Sequence, residues 1–376
     1  MNRTEVTTEG LQHVRPGREA TTGVNVGAGG AAQPSTARPK KGGGAEQPMV
    51  PPAAFSSYYG KPIINQPVWE SPDIPGYLFL GGLAGAGSVI AAGAHLTGRR
   101  HLARALKVGS AASAGLSFVA LVHDLGRRAR FVNMLRTFKP SSPMSVGSWL
   151  LSAYAPPAAV AALSDVAGVA PGIGALATAG AALVGPAVAT YTAALISDTA
   201  VPAWHDSYRD MPFVFASSAV SSAAGLGLLA APLEEVGPVR VLAVAAGAAE
   251  VGLEKVMERR AGLAEEAFKE GKAKRYHTLA QALLACGIGG AVLGRRSRIV
   301  SALAGAALLG GSAMTRFAIF EAGMVSAKDP RYTVVPQRRR LEERGGRPSP
   351  ARPGPTSSDG AASSAASSSA NGRHPS

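Results

Sequence analysis

The sequence predicts an all-α integral membrane protein with eight transmembrane helices and a disordered tail at each end. Three observations support this fold class. Of the 376 residues, 46% are hydrophobic and only 16% are charged, which is too little charge to cover a water-soluble domain of this size. Eight apolar runs approach the ~20 residues that cross a bilayer core as a helix. The basic residues are concentrated between these runs and in the tails, as expected for loops that flank membrane spans.

The eight predicted spans follow one another with short connections. They cover Ile74–Leu96, Leu102–His123, Ser145–Val166, Ile173–Leu195, Pro212–Ala231, Val236–Met257, Thr278–Leu293 and Ile299–Phe320. Glycine and alanine are abundant in most of them, and small residues let helix backbones approach closely in lipid. We therefore expect a compact helical bundle.

The two ends of the chain differ in composition from the spans. Residues 1–57 are rich in Gly, Ala, Pro and Thr and contain no apolar run of the kind found in a cleaved signal peptide. Residues 338–376 are rich in Pro, Ser, Ala and Gly. We expect disordered tails in both ranges and a single membrane domain, residues 58–337, between them.

Loop charge predicts the orientation in the membrane. With eight spans, both termini lie on one side, together with the loops that follow the second, fourth and sixth spans. These loops carry 12 Lys and Arg residues, against 8 in the loops of the opposite side and the adjoining starts of the spans. The positive-inside rule then places the termini in the cytoplasm and the protein in the inner or plasma membrane.

Several classes of function are disfavoured by composition. The net charge of +14 does not indicate a nucleic-acid partner, because the basic residues lie in tails and loops rather than on a soluble face. The single cysteine, Cys286, cannot ligate an iron–sulfur cluster or form an internal disulfide. The histidines fall at span ends, in a loop or in the tails, so a transmembrane haem would lack axial ligands. No metal site is predicted.

Four ordered polar motifs lie on the side of the membrane that holds the termini. They are contained in Tyr58–Ser88, His123–Trp149 (HDLGRRARFVNMLRTFKPSSPMSVGSW), Tyr191–Phe215 (YTAALISDTAVPAWHDSYRDMPFVF) and Asp329–Gln337 (DPRYTVVPQ). Together these motifs resemble the NrfD family, the membrane subunits of polysulfide-reductase-type complexes. One departure from the family pattern is Arg128, which stands where family members often have a proline.

The resemblance implies a haem-free, quinone-reactive subunit built as two four-helix bundles. Such a subunit exchanges electrons between the quinone or menaquinone pool and a ferredoxin-like iron–sulfur subunit. That partner in turn serves a catalytic subunit, which we expect to be of the molybdopterin type, and the membrane chain is not active alone. Two alternatives stay open: a structural anchor without quinone chemistry, and a secondary transporter.

Quinol oxidation requires an apolar slot, with a hydrogen-bond partner or proton acceptor near each ring oxygen. Candidates for these groups lie at span ends on the motif side: His123, Asp124, Asp198, His205, Tyr77 and Tyr191. The alternatives are helix-end hydrogen bonding for His123 and Asp124, and an interfacial aromatic belt for the tyrosines.

Two acidic residues within the sixth span are a second candidate site. Glu250 and Glu254 are four residues apart and share a helix face. Carboxylates inside a span are costly, so we expect either a buried ion pair with Arg316 or a proton path that uses Glu250. Glu250 and Asp124 are the candidate catalytic groups.

The loop after the second span is strongly basic. It is predicted to dock an acidic surface of the iron–sulfur partner through Arg127, Arg130, Arg136 and Lys139. The alternative is a topology signal without a partner.

Overall fold

The structure, a computed structural model, describes residues 63–124 and 131–343, and every regular element within them is helical. The long helices are α1 Asp73–Leu96, α2 Arg100–Asp124, α4 Pro143–Ala167, α5 Pro171–Ser197, α7 Met211–Ala230, α8 Gly237–Arg260, α10 Gly271–Leu293 and α11 Arg298–Lys328. The shorter ones are α3 Phe131–Met134, α6 Pro202–His205, α9 Glu265–Phe268 and α12 Arg331–Glu343, with a 3₁₀ turn at Gly262–Ala264. The predicted tails lie almost entirely outside the described residues, as do Arg127 and Arg130.

Each predicted span corresponds to one long helix, so the all-helical class is confirmed. Within the described ranges, seven helices are long and apolar enough to cross a membrane, and α8 is not among them. The reason is charge, because α8 carries Glu250, Glu254 and Glu258 in its second half. The chain is a multi-pass membrane protein, and the eighth span remains a proposal.

Glycines allow the helices to pack in direct backbone contact. A Cβ atom added at Gly85 of α1 would lie 2.3 Å from the carbonyl oxygen of Gly185 in α5. The same distance separates a Cβ atom at Gly305 of α11 from the carbonyl oxygen of Gly225 in α7. Small residues therefore join the helices in this protein, as the composition predicted.

The neighbours of each helix define the arrangement of the bundle. α1 packs against α2 and α5, and α4 packs against α5. α7 packs against α8 and α11, and α10 packs against α11. α1 also contacts α7 and α11, which connects the two groups of helices.

One end of the bundle, which we call the motif side, holds the start of α1 and the ends of α2, α5, α8 and α11. Polar contacts between helix ends identify it. Nδ1 of His123 lies 2.6 Å from Oδ2 of Asp73, and Nη1 of Arg260 donates to Oδ1 of Asp210 at 2.7 Å. The chain divides into two compact units after Thr333, and the second unit is described only for residues 334–343.

Candidate functional site

A pocket opens at the motif side, bounded by α1, α2, α4 and α5 together with residues near their ends. Its empty volume, open mouth included, is about 550 Å³. Its lining is mostly apolar, with Trp69, Ile74, Leu121, Met134, Met144, Leu195 and Ile196. The polar lining residues are Tyr77, Asp124, Ser148 and Tyr191. An apolar slot with a few polar groups is the usual form of a small-molecule site.

Two tyrosines meet at the inner part of this pocket. The rings of Tyr77 and Tyr191 pack edge to face, with their centroids 6.5 Å apart and an interplanar angle of 74°. Tyr77 is only 3% exposed. The hydroxyl of Tyr191 is buried and has no hydrogen-bond partner within the described residues. Buried tyrosine hydroxyls usually find a partner, so this hydroxyl is able to bond a molecule in the pocket.

Asp124 places a carboxylate in the pocket at the last residue of α2. Its Oδ1 accepts a long hydrogen bond, 3.4 Å, from the backbone N–H of Glu70, in the segment that precedes α1. The neighbouring His123 is not a lining residue: its side chain is 62% exposed and contacts Asp73. Three of the six residues predicted to bind quinone, Tyr77, Asp124 and Tyr191, therefore come together in one pocket.

The other two predicted residues lie elsewhere on the motif side. Asp198 is exposed and follows the last residue of α5, where its backbone N–H bonds the carbonyl oxygen of Ala194. Nδ1 of His205 lies 3.2 Å from the carbonyl oxygen of Ser197, and its ring stacks on Tyr208. Neither residue lines the pocket.

Glu250 is fully buried in the interior of the bundle. Its Oε2 accepts a hydrogen bond of 3.0 Å from Ser312, whereas its Oε1 has no partner in the described structure. The hydroxyls of Ser218 and Ser221 on α7 are also buried without a partner there. Unpartnered buried polar atoms are the usual sites of internal water.

Arg316 does not form the direct ion pair that the sequence suggested. Its guanidinium lies 3.5 Å from the centre of the Phe215 ring and donates from Nη2 to the carbonyl oxygen of Phe215 at 2.9 Å. Its Nε and Nη1 have no hydrogen-bond partner among the described residues. The side chain is directed toward α7, so its attraction to Glu250 and Glu254 acts through space.

A second polar cluster between α8 and α10 includes residues that sequence analysis missed. Glu254 is fully buried and accepts a hydrogen bond from Gln281. Nδ1 of His277 lies 3.3 Å from Oε1 of Glu254 and 3.3 Å from Oε1 of Glu258. His277 and Gln281 are four residues apart, and this spacing was the sequence signal that could have found them.

The predicted docking loop is described in part. Arg136 and Lys139 are exposed between α3 and α4, on the motif side. The backbone N–H of Lys139 donates to the hydroxyl of Ser145 at 3.0 Å, which attaches the loop to the first turn of α4.

The long apolar helices are those of a multi-pass membrane protein, and one end of the bundle holds a mostly apolar pocket. Residues 63–235 match the family model "Polysulphide reductase, NrfD". Over these residues, a little under half of the chain, the sequence is similar to that family. All pocket-lining residues fall within the match, whereas Glu250 lies beyond it. A comparison with curated protein sequences gave no match.

Proposed function

We propose that the chain exchanges electrons between the membrane quinone pool and a separate iron–sulfur subunit. The observation that carries this proposal is the unpartnered hydroxyl of Tyr191, which belongs to an apolar pocket in the region matched to NrfD. A quinone supplies what the pocket lacks, because its flat ring fits an apolar slot and its carbonyl oxygens accept hydrogen bonds.

The pocket residues have complementary roles toward the two redox states. The hydroxyl of Tyr191 donates to one carbonyl oxygen of the quinone and so orients the ring. The carboxylate of Asp124 accepts a proton from one hydroxyl of the quinol. Oxidation of the quinol to quinone transfers two electrons to the iron–sulfur partner and releases two protons: Asp124 acts as the general base for one, and the other leaves to solvent at the open mouth of the pocket. Quinone reduction uses the same groups in the opposite direction.

Glu250 is proposed as a proton acceptor deeper in the bundle. It is buried, one of its oxygens lacks a partner, and Ser218 and Ser221 on the adjacent α7 have unpartnered hydroxyls. Water held by these atoms would give a proton a path through an otherwise apolar interior.

The helix neighbours support a membrane arrangement of two bundles. α1, α2, α4 and α5 are proposed as one four-helix bundle, and α7, α8, α10 and α11 as the other, with α8 as the eighth span. The membrane domain is proposed to cover residues 58–337, with both tails disordered and in the cytoplasm.

The partner is proposed to dock on the motif side, where the pocket opens. Arg136 and Lys139 are exposed there and suit an acidic surface. The partner we propose is a ferredoxin-like iron–sulfur subunit, which serves a molybdopterin-type catalytic subunit.

The test uses the assembled complex with two isosteric variants. Asp124→Asn keeps the shape of the side chain and removes the base, so it should impair quinol-linked turnover without loss of assembly. Glu250→Gln should slow turnover and leave partner binding intact. Glu234→Gln, an exposed carboxylate on the opposite side, is the control.

Binding of a quinone analogue to the purified complex distinguishes a quinone-reactive subunit from a structural anchor. Normal turnover in both variants would refute the site assignment. If the wild-type complex also fails to bind the analogue, the chain acts as a structural anchor.

A further inference from the structure

We propose that Glu254, Glu258 and His277 bind a divalent metal cation between α8 and α10, and that zinc is the cation these ligands suit. The proposal does not depend on quinone chemistry, because the cluster lies outside the pocket and beyond the residues matched to NrfD. It revises the sequence-based expectation that the chain has no metal site.

The arrangement of the cluster follows from helical spacing. Glu254 and Glu258 lie four residues apart on α8, and His277 and Gln281 lie four residues apart on α10, so each pair shares one helix face. The two faces meet, since His277 contacts both glutamates and Gln281 bonds Glu254. One ligand atom from each of Glu254, Glu258 and His277 lies within 4.8 Å of the others.

Within the described structure, the converging atoms contact one another at ion-pair distance and form no hydrogen bond. Oε1 of Glu254, Oε1 of Glu258 and Nδ1 of His277 are all buried without a hydrogen-bond partner. The side chain of Glu254 is 0% exposed, so water does not reach its free oxygen from the surface. Buried polar atoms are normally satisfied, and three that point at one another indicate a shared partner.

The distances suit a metal ion. Nδ1 of His277 lies 3.3 Å from each carboxylate oxygen, yet neither contact has the geometry of a hydrogen bond. Two ligands bound to zinc at about 2.0–2.1 Å with tetrahedral angles are separated by about 3.3 Å. The set of two carboxylates and one imidazole contains no sulfur and is of the type that binds zinc. Gln281 or water would complete the coordination.

The charge of α8 also favours a cation. Glu250, Glu254 and Glu258 occupy one face of the helix, and the first two are fully buried. Carboxylates removed from water require compensation. The buried cation nearby, Arg316, donates its hydrogen bond to Phe215 instead.

The nearby lysines Lys255 and Lys269 form no direct ion pair with the cluster in the described structure. Lys255 is exposed, and Lys269 pairs with Glu265 at 2.6 Å. A divalent ion would balance two negative charges and clamp α8 to α10 near the motif side.

The test is zinc binding to the full chain, purified in detergent with any polyhistidine tag removed and treated with a chelator. After Zn²⁺ is added back and the excess is removed, we expect about one tightly bound zinc per chain by elemental analysis, and a higher Tm than in the chelator-treated chain because the metal binds only the folded state. His277→Gln and Glu258→Gln should each weaken zinc binding by more than about tenfold. Loss of a residue that only orients a metal ligand already costs about that much.

His101→Gln is the matched control, because His101 also contacts a glutamate, Glu235, but in a pair without a third ligand. It should retain zinc binding and the Tm rise. The proposal is wrong if the wild-type chain gains no Tm from Zn²⁺, or if His277→Gln binds zinc as tightly as wild type. A metal-free His277→Gln chain that unfolds at a lower Tm than the metal-free wild type, combined with a wild-type Tm that Zn²⁺ does not raise, would assign the cluster to an ion pair and also overturn the proposal.

Discussion

The backbone of Gly147 lies directly against the ring of Tyr191: a Cβ atom at Gly147 would lie 2.3 Å from Cε2 of that ring. This distance is far below an ordinary contact between carbon atoms. The contact joins α4 to α5 and fixes the ring whose hydroxyl has no partner in the described structure. Any side chain at position 147 must therefore move the tyrosine or separate the helices.

Gly147→Ala tests this relationship. The added methyl group should displace the Tyr191 ring and weaken the binding of a quinone analogue, with a smaller effect on assembly. Gly115→Ala is the control, because a Cβ atom at Gly115 of α2 would meet nothing within 4 Å. Fluorescence or calorimetric titration of both variants measures the difference. Equal affinities would show that the position of the Tyr191 ring does not matter for binding.

Tyr191→Phe isolates the hydroxyl itself. It should weaken quinone-analogue binding by roughly tenfold, the value of one hydrogen bond of about 1.4 kcal/mol, without loss of thermal stability, since no protein partner is left unsatisfied. Tyr154→Phe provides the opposite case, because the Tyr154 hydroxyl lies 2.6 Å from both the Ser88 hydroxyl and the carbonyl oxygen of Ala84. It should lower Tm and leave affinity unchanged. If Tyr191→Phe lowered Tm and left the affinity for the quinone analogue unchanged, the Tyr191 hydroxyl would not be bonded to the quinone.

The sequence predicted the polar half of the pocket better than the apolar half. Tyr77, Asp124 and Tyr191 were recognisable because polar residues at the ends of apolar runs are conspicuous. Met134 and Met144 were not, since apolar residues are ordinary in such a chain and only the path of the backbone from α2 to α4 brings them to the pocket. His277 was missed for a similar reason, because its partners lie on another helix.

Helix positions were predicted well, and helix ends less so. α11 continues to Lys328, beyond the predicted end at Phe320, and α10 begins at Gly271 rather than Thr278. Hydropathy marks the part of a helix that suits lipid, whereas backbone hydrogen bonds continue into polar turns that extend past it. The same difference explains α8, a full-length helix whose buried carboxylates keep it outside the apolar class.

Glu235 predicts a dependence of stability on pH. Its carboxylate accepts hydrogen bonds from the backbone N–H of Leu102 and lies 2.8 Å from Nδ1 of His101. Burial alone raises the pKa of Glu235, but these bonds outweigh it and hold the pKa below its ordinary value of 4.5. The stabilisation is therefore present above pH 4.5 and is lost as the pH falls through the lowered pKa.

Glu235→Gln should accordingly lower Tm near neutral pH, and its difference from wild type should shrink as the pH falls below 4.5. Thermal unfolding in detergent across this range gives the measurement, with Glu234→Gln as the exposed neighbour for comparison. A difference that stays constant with pH would show that the charged form of Glu235 is not the stabilising one.

Cysteine labelling tests the orientation. In a Cys286→Ser background, needed because Cys286 is exposed on the bundle, Lys272→Cys should be protected from an impermeant thiol reagent outside the cell and Gly237→Cys should react. Lys272 is preferred to the adjacent Gly271, whose φ of 50° would strain a cysteine. Labelling at Lys272 with protection at Gly237 would place the motif side outside the cytoplasm.

The central claim is that a quinone binds in the pocket formed by Tyr77, Asp124 and Tyr191. Photolabelling of the assembled complex with an azido-quinone, followed by peptide mapping, tests it most directly. The predicted result is labelling in α1, α2, α4, α5 or the segment around Met134, which excess menaquinone suppresses and Gly147→Ala reduces. Labelling that menaquinone does not suppress, or that falls only on α7, α8, α10 or α11, would contradict the claim.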